Sequence, residues 1–252
     1  MPELTPEQDS WRVRAWASYQ QVLTMSGRGD AVFRSPTVSG VDMGVPHPWG
    51  LRICAGETVP DPSDAAAAIA WCRGRDTGHG WSVSAPESGA APWGGLAPEG
   101  RNGVFATAAG AAAAFPLTVP DGVRLDHAPS LDGVRAAYGG WMDDDPLAAL
   151  LVSADDLAHP DRAFVVAHMN GQPVGCAFVW WATGTAYLSG IGVVAPVRGR
   201  GVGQALTTAA AHMAAARPGT DVVWMFATAE GAALYGRMGF VLVDIEVQLR
   251  DH

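Results

Sequence analysis

A glycine-rich stretch in the second half of the chain decides the fold: Arg198-Gly199-Arg200-Gly201-Val202-Gly203. It follows a β-rich run at 185–193 and precedes a helical pattern at 204–216. Glycines at such a junction let consecutive backbone N–H groups point into one concavity, where the positive end of the helix favours an anion. The stretch therefore predicts a phosphate-binding turn at a helix N-terminus, and such a turn needs no charged side chain.

The elements on either side of this turn follow a defined order. They are a strand at 123–125, helices at 130–138 and from Asp145, strands at 164–168, 173–181 and 185–193, the glycine turn, a helix at 204–216, a strand at 222–226, a helix, and a strand at 241–249. Asp145 followed by Pro146 is typical of an N-cap and a first helical residue. Asn170-Gly171 between two β-rich runs predicts a hairpin. The order predicts an antiparallel meander ahead of the turn.

A dinucleotide-binding fold is the alternative that this order argues against. That fold places its glycines after the first strand of a parallel unit and an acidic residue at a strand end about 20 residues later. Here the glycines follow three hairpin-connected strands, and Asp221, at roughly that distance, precedes a strand. The spacing does not fit dinucleotide binding.

Two motifs resemble those of the GNAT superfamily of N-acetyltransferases. The first is Val193, four residues, and then Arg-Gly-x-Gly-x-Gly, which is similar to the family's acyl-CoA signature. The second is Leu234-Tyr235, three residues, and then Gly239-Phe240, ahead of the last strand. The resemblance covers about residues 122–250 and implies an α/β fold with a mixed (α+β) sheet.

The resemblance also implies roles for individual residues. The N–H groups of the stretch from Arg198 to Gly203 would bind the pyrophosphate of acetyl-CoA, and the backbones of Ile191 and Val193 would bind its pantetheine and acyl carbonyl. Tyr235 would act as the general acid, and Thr228 stands where the family often has a cofactor-contacting Asn. The family's proline is displaced by one place, because Ala195 stands at its position and the proline is residue 196. Alternatives are a merely half-buried aromatic at position 235 and solvated arginines in the glycine turn.

The function that follows is acyl-CoA-dependent N-acetyl transfer, from acetyl-CoA to a primary amine of a small molecule or peptide, by direct attack. The alternative is a non-catalytic acyl-CoA-binding regulator or scaffold. The general base is open, with candidates Ser189, Glu230, Asp244 and Glu246, or a water chain. The acidic run 143–145 lies where the family admits its acceptor, so it either attracts a cationic amine or forms a solvated turn.

The N-terminal half lacks a counterpart of the glycine turn. A capping box formed by Thr5 and Gln8 predicts a helix to about residue 25, and Asp61 predicts a second helix to about residue 73. Strand-like pieces lie between them and at 81–84. This half is either a degenerate GNAT-like copy or an unrelated small domain. The Ala-, Gly- and Pro-rich segment 85–120 predicts a linker, mobile or lid-like, and places the domain boundary between residues 118 and 119.

Composition excludes several chemistries. The 252 residues include 16 arginines and no lysine, so lysine nucleophiles, Schiff-base lysines and P-loop lysines are absent. With 25 Asp and Glu residues, the net charge is −9. The acidic balance argues against nucleic-acid binding. The stretch 1–7 lacks a signal-peptide pattern, and no apolar run approaches the roughly 18 residues of a membrane span. We therefore expect a cytoplasmic protein. We also expect a monomer or a homodimer.

Cysteine and histidine positions do not match a metal site. The three cysteines, at positions 54, 72 and 176, are widely spaced, and the seven histidines are scattered. We expect buried thiols, structural or surface histidines and no bound metal.

Overall fold

The computed structural model describes residues 3–25 and 32–251. Met1 and Pro2, at the start of the stretch used to argue against a signal peptide, lie outside the described residues. The chain divides into two compact units. Unit 1 comprises Met1–Ala106 and Phe226–His252, and unit 2 comprises Thr107–Met225. The predicted domains 1–118 and 119–252, with a boundary between residues 118 and 119, stay a prediction.

Unit 1 contains a mixed sheet with helices. Its elements are α1 (Pro6–Met25), β1 (Val32–Arg34), β2 (Val38–Asp42), β3 (Leu51–Ala55), α2 (Pro62–Arg73), β4 (Trp81–Pro86), β5 (Ala97–Ala108, which ends just past the division), α8 (Ala229–Met238) and β11 (Val241–Asp251). The strand order is β1-β2-β3-β4-β11-β5. The pair β3/β4 is parallel and the other pairs are antiparallel. The last strand of the chain thus lies between β4 and β5.

The predicted helix starts of unit 1 are confirmed. The Gln8 side chain accepts from the Thr5 N–H at 2.9 Å, and the Thr5 hydroxyl accepts from the Gln8 N–H at 3.2 Å. Asp61 caps α2 by accepting from the Ser63 N–H at 2.8 Å. Each cap satisfies N–H groups that have no partner within the helix. The helix α2 then packs its alanines on a core that contains Trp81 and Trp93, both almost fully buried.

Unit 2 also contains a mixed sheet. Its elements are α3 (Ala109–Ala113), β6 (Val123–Asp126), α4 (Leu131–Met142), α5 (Asp145–Leu151), α6 (Ala154–Ala158), β7 (Arg162–Met169), β8 (Gln172–Ala182), β9 (Thr185–Val193), α7 (Val202–Ala216) and β10 (Val222–Ala227, which crosses the division at Met225). The strand order is β10-β9-β8-β7-β6, with β9/β10 parallel and the other pairs antiparallel. Asn170 (φ 53°) and Gly171 (φ 78°) form the predicted hairpin turn.

The predicted linker at 85–120 is wrong over much of its length. Residues 97–108 form β5, which pairs with β11, and residues 109–113 form α3. The pairing partner lies more than 130 residues away in sequence, so local composition carries no sign of it. The N-cap of α5 is also corrected: Asp144, and not Asp145, accepts from the Leu147 N–H at 2.9 Å.

The two units repeat one order of elements. In each, a helix precedes three antiparallel strands, and a second helix leads to a strand that runs parallel to the third. For the N-terminal half, this repetition supports the degenerate copy over the unrelated domain. Among the described helices, none has the length and apolar character to cross a membrane.

Candidate functional site

Strand β9 extends beyond its parallel partner. The ladder between β9 and β10 joins 185–188 to 222–225 and ends at the pair Leu188 and Met225. The strand β9 itself continues to Val193, still paired with β8 on its other edge. Over 189–193, therefore, no ladder to β10 covers this edge within the described part of the chain.

The backbone of this uncovered edge has a defined orientation. The Val194 N–H donates to the Val174 carbonyl at 2.9 Å, towards β8. Since N–H and C=O directions alternate along an antiparallel strand, Val193 and Ile191 direct theirs to the uncovered edge. The Arg198 Nε donates to the Val193 carbonyl oxygen at 2.9 Å. The Val193 N–H and the Ile191 backbone are thus the groups left to meet a ligand.

The glycine turn requires glycine at two positions. Gly199 has φ 74° and Gly201 has φ 83°, a region that side chains with a Cβ disfavour. Gly201 is the N-cap of α7, and the first intrahelical bond runs from the Ala205 N–H to its carbonyl at 3.0 Å. The N–H groups of Val202 and Gly203 therefore have no partner within the helix. Such N–H groups at a helix N-terminus favour an anion, and phosphate binding at this turn stays a prediction.

The side chains around the glycine turn are of two kinds, one buried in the core and the others exposed to solvent. Val202 is buried at 1% exposure, which anchors the first turn of α7 to the core. Arg198 and Arg200 are exposed. A Cβ at Gly203 would meet Val193 Cγ2 at an ordinary 3.7 Å, so this glycine leaves the helix end open and is not demanded by the backbone.

Helices α4 and α7 lie on opposite faces of β9. Gly203 of α7 approaches Val193, whereas a Cβ at the neighbouring Gly192 would collide with the ring of Trp141 in α4. Successive residues of a strand face opposite sides of the sheet, so α4 and α7 pack on opposite sides of it. The C-terminal end of α4, followed by the exposed Asp143 and Asp144, thus lies on the face opposite the glycine turn.

Tyr235 belongs to α8 in unit 1. It is 7% exposed and packs edge-on against Phe105 and Phe240, with ring centroids 6.4 and 6.3 Å away. Burial raises the pKa of its hydroxyl to about 12. Among the described residues, none hydrogen-bonds to that hydroxyl, which keeps contact with solvent. The side chain is therefore protonated at neutral pH, as a general acid must be.

Thr228 caps the same helix. Its hydroxyl accepts from the Gly231 N–H at 3.4 Å. This contact accounts for a hydroxyl at position 228 without a ligand, and the predicted cofactor contact of Thr228 stays a prediction.

The candidate general bases differ in surroundings. Ser189 in unit 2 accepts from the Trp180 indole at 2.8 Å, and Glu230 is exposed in the first turn of α8. Asp244 accepts from Trp16 at 2.9 Å, and Glu246 accepts from Asn102 at 2.7 Å. Burial raises the pKa of both of these carboxyls. Asp244 and Glu246 thus have structural partners inside unit 1, which favours a packing role.

The three cysteines occupy buried positions. All three cysteines are free and buried, as predicted, and burial raises their pKa values. Within residues 3–25 and 32–251, no group of three or more His, Cys, Asp or Glu could hold a metal ion.

Sequence reasoning missed the glycine pair on β9. Gly190 has φ 56° at a register shift of the β8/β9 ladder, and a Cβ there would lie 2.6 Å from the Phe178 ring. Gly192, two residues on, is covered by Trp141. Glycine inside a strand often marks a bulge or a close approach, so the alternation of Gly190 and Gly192 was the available signal.

Comparison with known proteins gives a domain match and a fold shared with solved structures. Residues 160–242 match the acetyltransferase (GNAT) domain model. A GCN5-related N-acetyltransferase from Kribbella flavida has a TM-score of 0.72 at 21% identity, covering 95% of each chain. A tandem GNAT protein from the clavulanic acid biosynthesis pathway has a TM-score of 0.59 at 14% identity, over 97% of this chain and 94% of that one.

Another GCN5-related N-acetyltransferase, from Sphaerobacter thermophilus, has a TM-score of 0.54 at 18% identity, over 85% of this chain and 76% of that one. No curated protein sequence matches this chain. The resemblance to the GNAT superfamily is confirmed as a GNAT acetyltransferase domain match at residues 160–242, and the chain has the mixed α/β fold of GNAT proteins, tandem ones included. The domain match supports acetyl transfer as the general activity.

Proposed function

We propose that the protein is an acyl-CoA-dependent N-acetyltransferase that transfers acetyl from acetyl-CoA to a primary amine of a small molecule or peptide. The observation that carries the proposal is the extension of β9 past β10 beside the glycine-turned N-terminus of α7. One feature offers uncovered backbone groups at a strand edge, and the other offers an anion site. An acyl-CoA has the matching parts, an amide-bearing pantetheine joined to a pyrophosphate.

Acetyl-CoA binding in this proposal relies mainly on backbone groups. The N–H groups from Arg198 to Gly203 hold the pyrophosphate, with both arginines adding positive charge at its rim. Ile191 and the Val193 N–H bind the pantetheine and the acyl carbonyl, and Thr228 adds a hydroxyl. Because these donors are fixed by the fold, they need little reorganisation when charge develops on the carbonyl oxygen.

The transfer itself is a single acyl exchange. The neutral amine attacks the thioester carbonyl carbon, a C–N bond forms, and the C–S bond breaks. The departing sulfur takes a proton from the Tyr235 hydroxyl, and the amine nitrogen releases one to solvent or to a water chain, so the products are an amide and the CoA thiol. Tyr235 regains its proton from water, which its raised pKa favours.

The acceptor amine approaches the α4 face of β9. The exposed Asp143 and Asp144 follow α4 on that face, opposite the glycine turn. Two carboxylates near an entrance raise the local concentration of a cationic amine. This supports a protonated amine as the species that arrives and loses its proton before attack.

Binding and turnover are tested separately. Isothermal titration should show acetyl-CoA binding, and a thiol-release assay over a panel of amines should show acyl transfer. No binding at millimolar acetyl-CoA would overturn the proposal. Binding without thiol release for any amine would leave the non-catalytic regulator in its place.

A matched pair of variants makes the binding test specific. Gly203→Asp places a carboxylate where the pyrophosphate would lie, at a helix position where Asp is otherwise favourable and where a Cβ has room. Gly203→Asn has the same size without the charge. We expect the Asp variant to bind acetyl-CoA at least tenfold more weakly than the Asn variant, and equal affinities would contradict the pyrophosphate assignment.

A further inference from the structure

Two aromatic rings fill the α4 face of β9 at its uncovered end. The Phe178 ring lies over Gly190, and the indole of Trp141 lies over Gly192. At both positions a single added Cβ would overlap the ring unless the ring moved. This face of β9 therefore has no free volume for even one methylene group beside Gly192.

The Trp141 ring is held in place by neighbouring aromatic rings. Tyr138, one turn earlier in α4, meets it edge-on at 5.7 Å between centroids and itself packs on Phe178 at 5.0 Å. Phe178 in turn packs on Phe164 at 4.9 Å. In addition, Gly140 allows α4 to approach closely, because a Cβ there would lie 3.2 Å from Val194 Cγ1. Moving the indole off Gly192 would disturb this whole cluster.

The direction of a bound acyl-CoA follows from the two faces of β9. On the proposed function, on which this inference rests, the pyrophosphate is held at the N-terminus of α7, and α7 packs on the Val193 face. The pantetheine then passes the uncovered edge of β9, and the thioester reaches the opposite face. There the carbon chain beyond the carbonyl meets the Trp141 indole.

We propose that Trp141 is the residue that restricts the transferred group to acetyl. A two-carbon acyl group ends at its methyl before it needs the volume that the indole fills, whereas butyryl and longer chains need that volume. Overfilling a packed aromatic cluster is costly, because the rings and backbone must shift to accept the extra methylenes. Trp141 thus acts as a specificity determinant for chain length and leaves the CoA portion untouched.

Calorimetry tests this without knowledge of the acceptor. Affinities of CoA, acetyl-CoA, butyryl-CoA and hexanoyl-CoA are measured for the wild type, Trp141→Ala and Trp141→Phe. We expect the wild type to bind acetyl-CoA at least tenfold more tightly than hexanoyl-CoA. Trp141→Ala should reduce that ratio at least tenfold at unchanged CoA affinity, with Trp141→Phe between them.

Trp181→Ala is the matched control. Trp181 is a half-buried tryptophan of the same unit whose indole donates to the Ala214 carbonyl at the C-terminal end of α7, so its loss should leave the ratio unchanged. If Trp141→Ala does not fold, Trp141→Phe carries the test.

Each outcome has one meaning. Equal wild-type affinity for acetyl- and hexanoyl-CoA, or an unchanged ratio in a folded Trp141 variant that still binds CoA, would overturn this assignment. Failure of the wild type to bind CoA itself would instead overturn the proposed function.

Discussion

The Arg198 Nε donates a hydrogen bond to the carbonyl oxygen of Val193 at 2.9 Å. This bond ties the end of β9 to the start of the glycine turn, the two features that the proposed cofactor site combines. Because Arg198 makes this bond through Nε, the two terminal nitrogens of its guanidinium fork are left for other partners.

Arg198→Ala should weaken acetyl-CoA binding by about tenfold, since it removes both this bond and a positive charge at the anion site. Arg124→Ala, which removes an exposed arginine of unit 2 on β6, is the charge-matched control. Calorimetry on the two variants gives the comparison. Similar losses in both would mean that overall charge, and not the bond to Val193, sets the affinity.

Gly201→Ala should destabilise the protein by about 1–2 kcal/mol, because the residue has φ 83° and alanine is strained there. Gly203→Ala should be neutral or slightly stabilising, since its added Cβ has room within α7. Thermal unfolding of both variants measures the difference. A neutral Gly201→Ala would show that the turn tolerates another backbone conformation.

Tyr235→Phe should lower kcat by about 100-fold or more with little change in acetyl-CoA affinity, because the hydroxyl serves the leaving sulfur and not ground-state binding. The raised pKa of Tyr235, about 12, means that this acid stays protonated below that pH. We therefore expect no loss of wild-type kcat from its deprotonation between pH 7 and 10. Pre-steady-state thiol release in both proteins is the measurement, and an unchanged kcat in the variant would remove Tyr235 from the mechanism.

Glu246→Gln should raise the stability of the protein increasingly as the pH rises above about 5. Burial raises the pKa of this carboxyl. The stability associated with its proton is therefore fully present below the unfolded-state pKa and is lost as the pH rises through the folded-state value. A glutamine has no such loss and keeps an oxygen to accept from Asn102.

Asp244→Asn is the contrasting variant, because both Asp244 oxygens already accept, one from Trp16 and one from the Ile245 N–H. Asp244→Asn should destabilise the protein, because the amide NH2 that replaces one carboxylate oxygen would face an N–H group from which that oxygen accepted. Urea unfolding from pH 4 to 9 distinguishes the two carboxyls. A Glu246→Gln variant less stable than wild type at pH 8 would contradict the expected sign.

The double variant Asp143→Asn with Asp144→Asn should raise the apparent KM for a cationic amine acceptor and make that KM less sensitive to salt. The structure makes these substitutions mild. Asp143 has φ 58°, where asparagine is well tolerated, and Asp144 is an N-cap, where asparagine substitutes well. Steady-state kinetics at low and high salt are the measurement, and an unchanged KM would assign these carboxylates to a solvated turn.

Sequence patterns predicted those parts of the fold whose causes are local. The capping box at Thr5, the hairpin at Asn170 and Gly171, and the start of α7 each depend on residues within a few positions of one another. Strand β5 could not be predicted this way, because Gly103 and its neighbours form a strand only through pairing with the distant β11.

In the candidate site, too, the features with local causes could be predicted, and those that depend on distant contacts could not. The glycine turn at 198–203 is encoded locally, and its place before a helix was predicted, although α7 begins at Val202 and not at residue 204. The contact of Trp141 with Gly192 joins two elements some 50 residues apart in sequence, and no spacing rule indicates it. The N-cap at Asp144 was missed because three adjacent aspartates give the same local signal at each position.

The place of β11 in unit 1 has a consequence for biosynthesis. The Trp81 indole donates to the Asp251 carboxylate at 2.9 Å, and β4 pairs with β11 from Trp81 to Pro86. A growing chain on the ribosome therefore lacks the strand between β4 and β5 until residues 241–251 emerge, by which point all of unit 2 has been synthesised. Unit 2 can therefore complete its fold before unit 1, although the synthesis of unit 1 begins first. The first half of the chain to be made is the last to be completed, and for that interval β4 has an unpaired edge that a chaperone or another chain can bind.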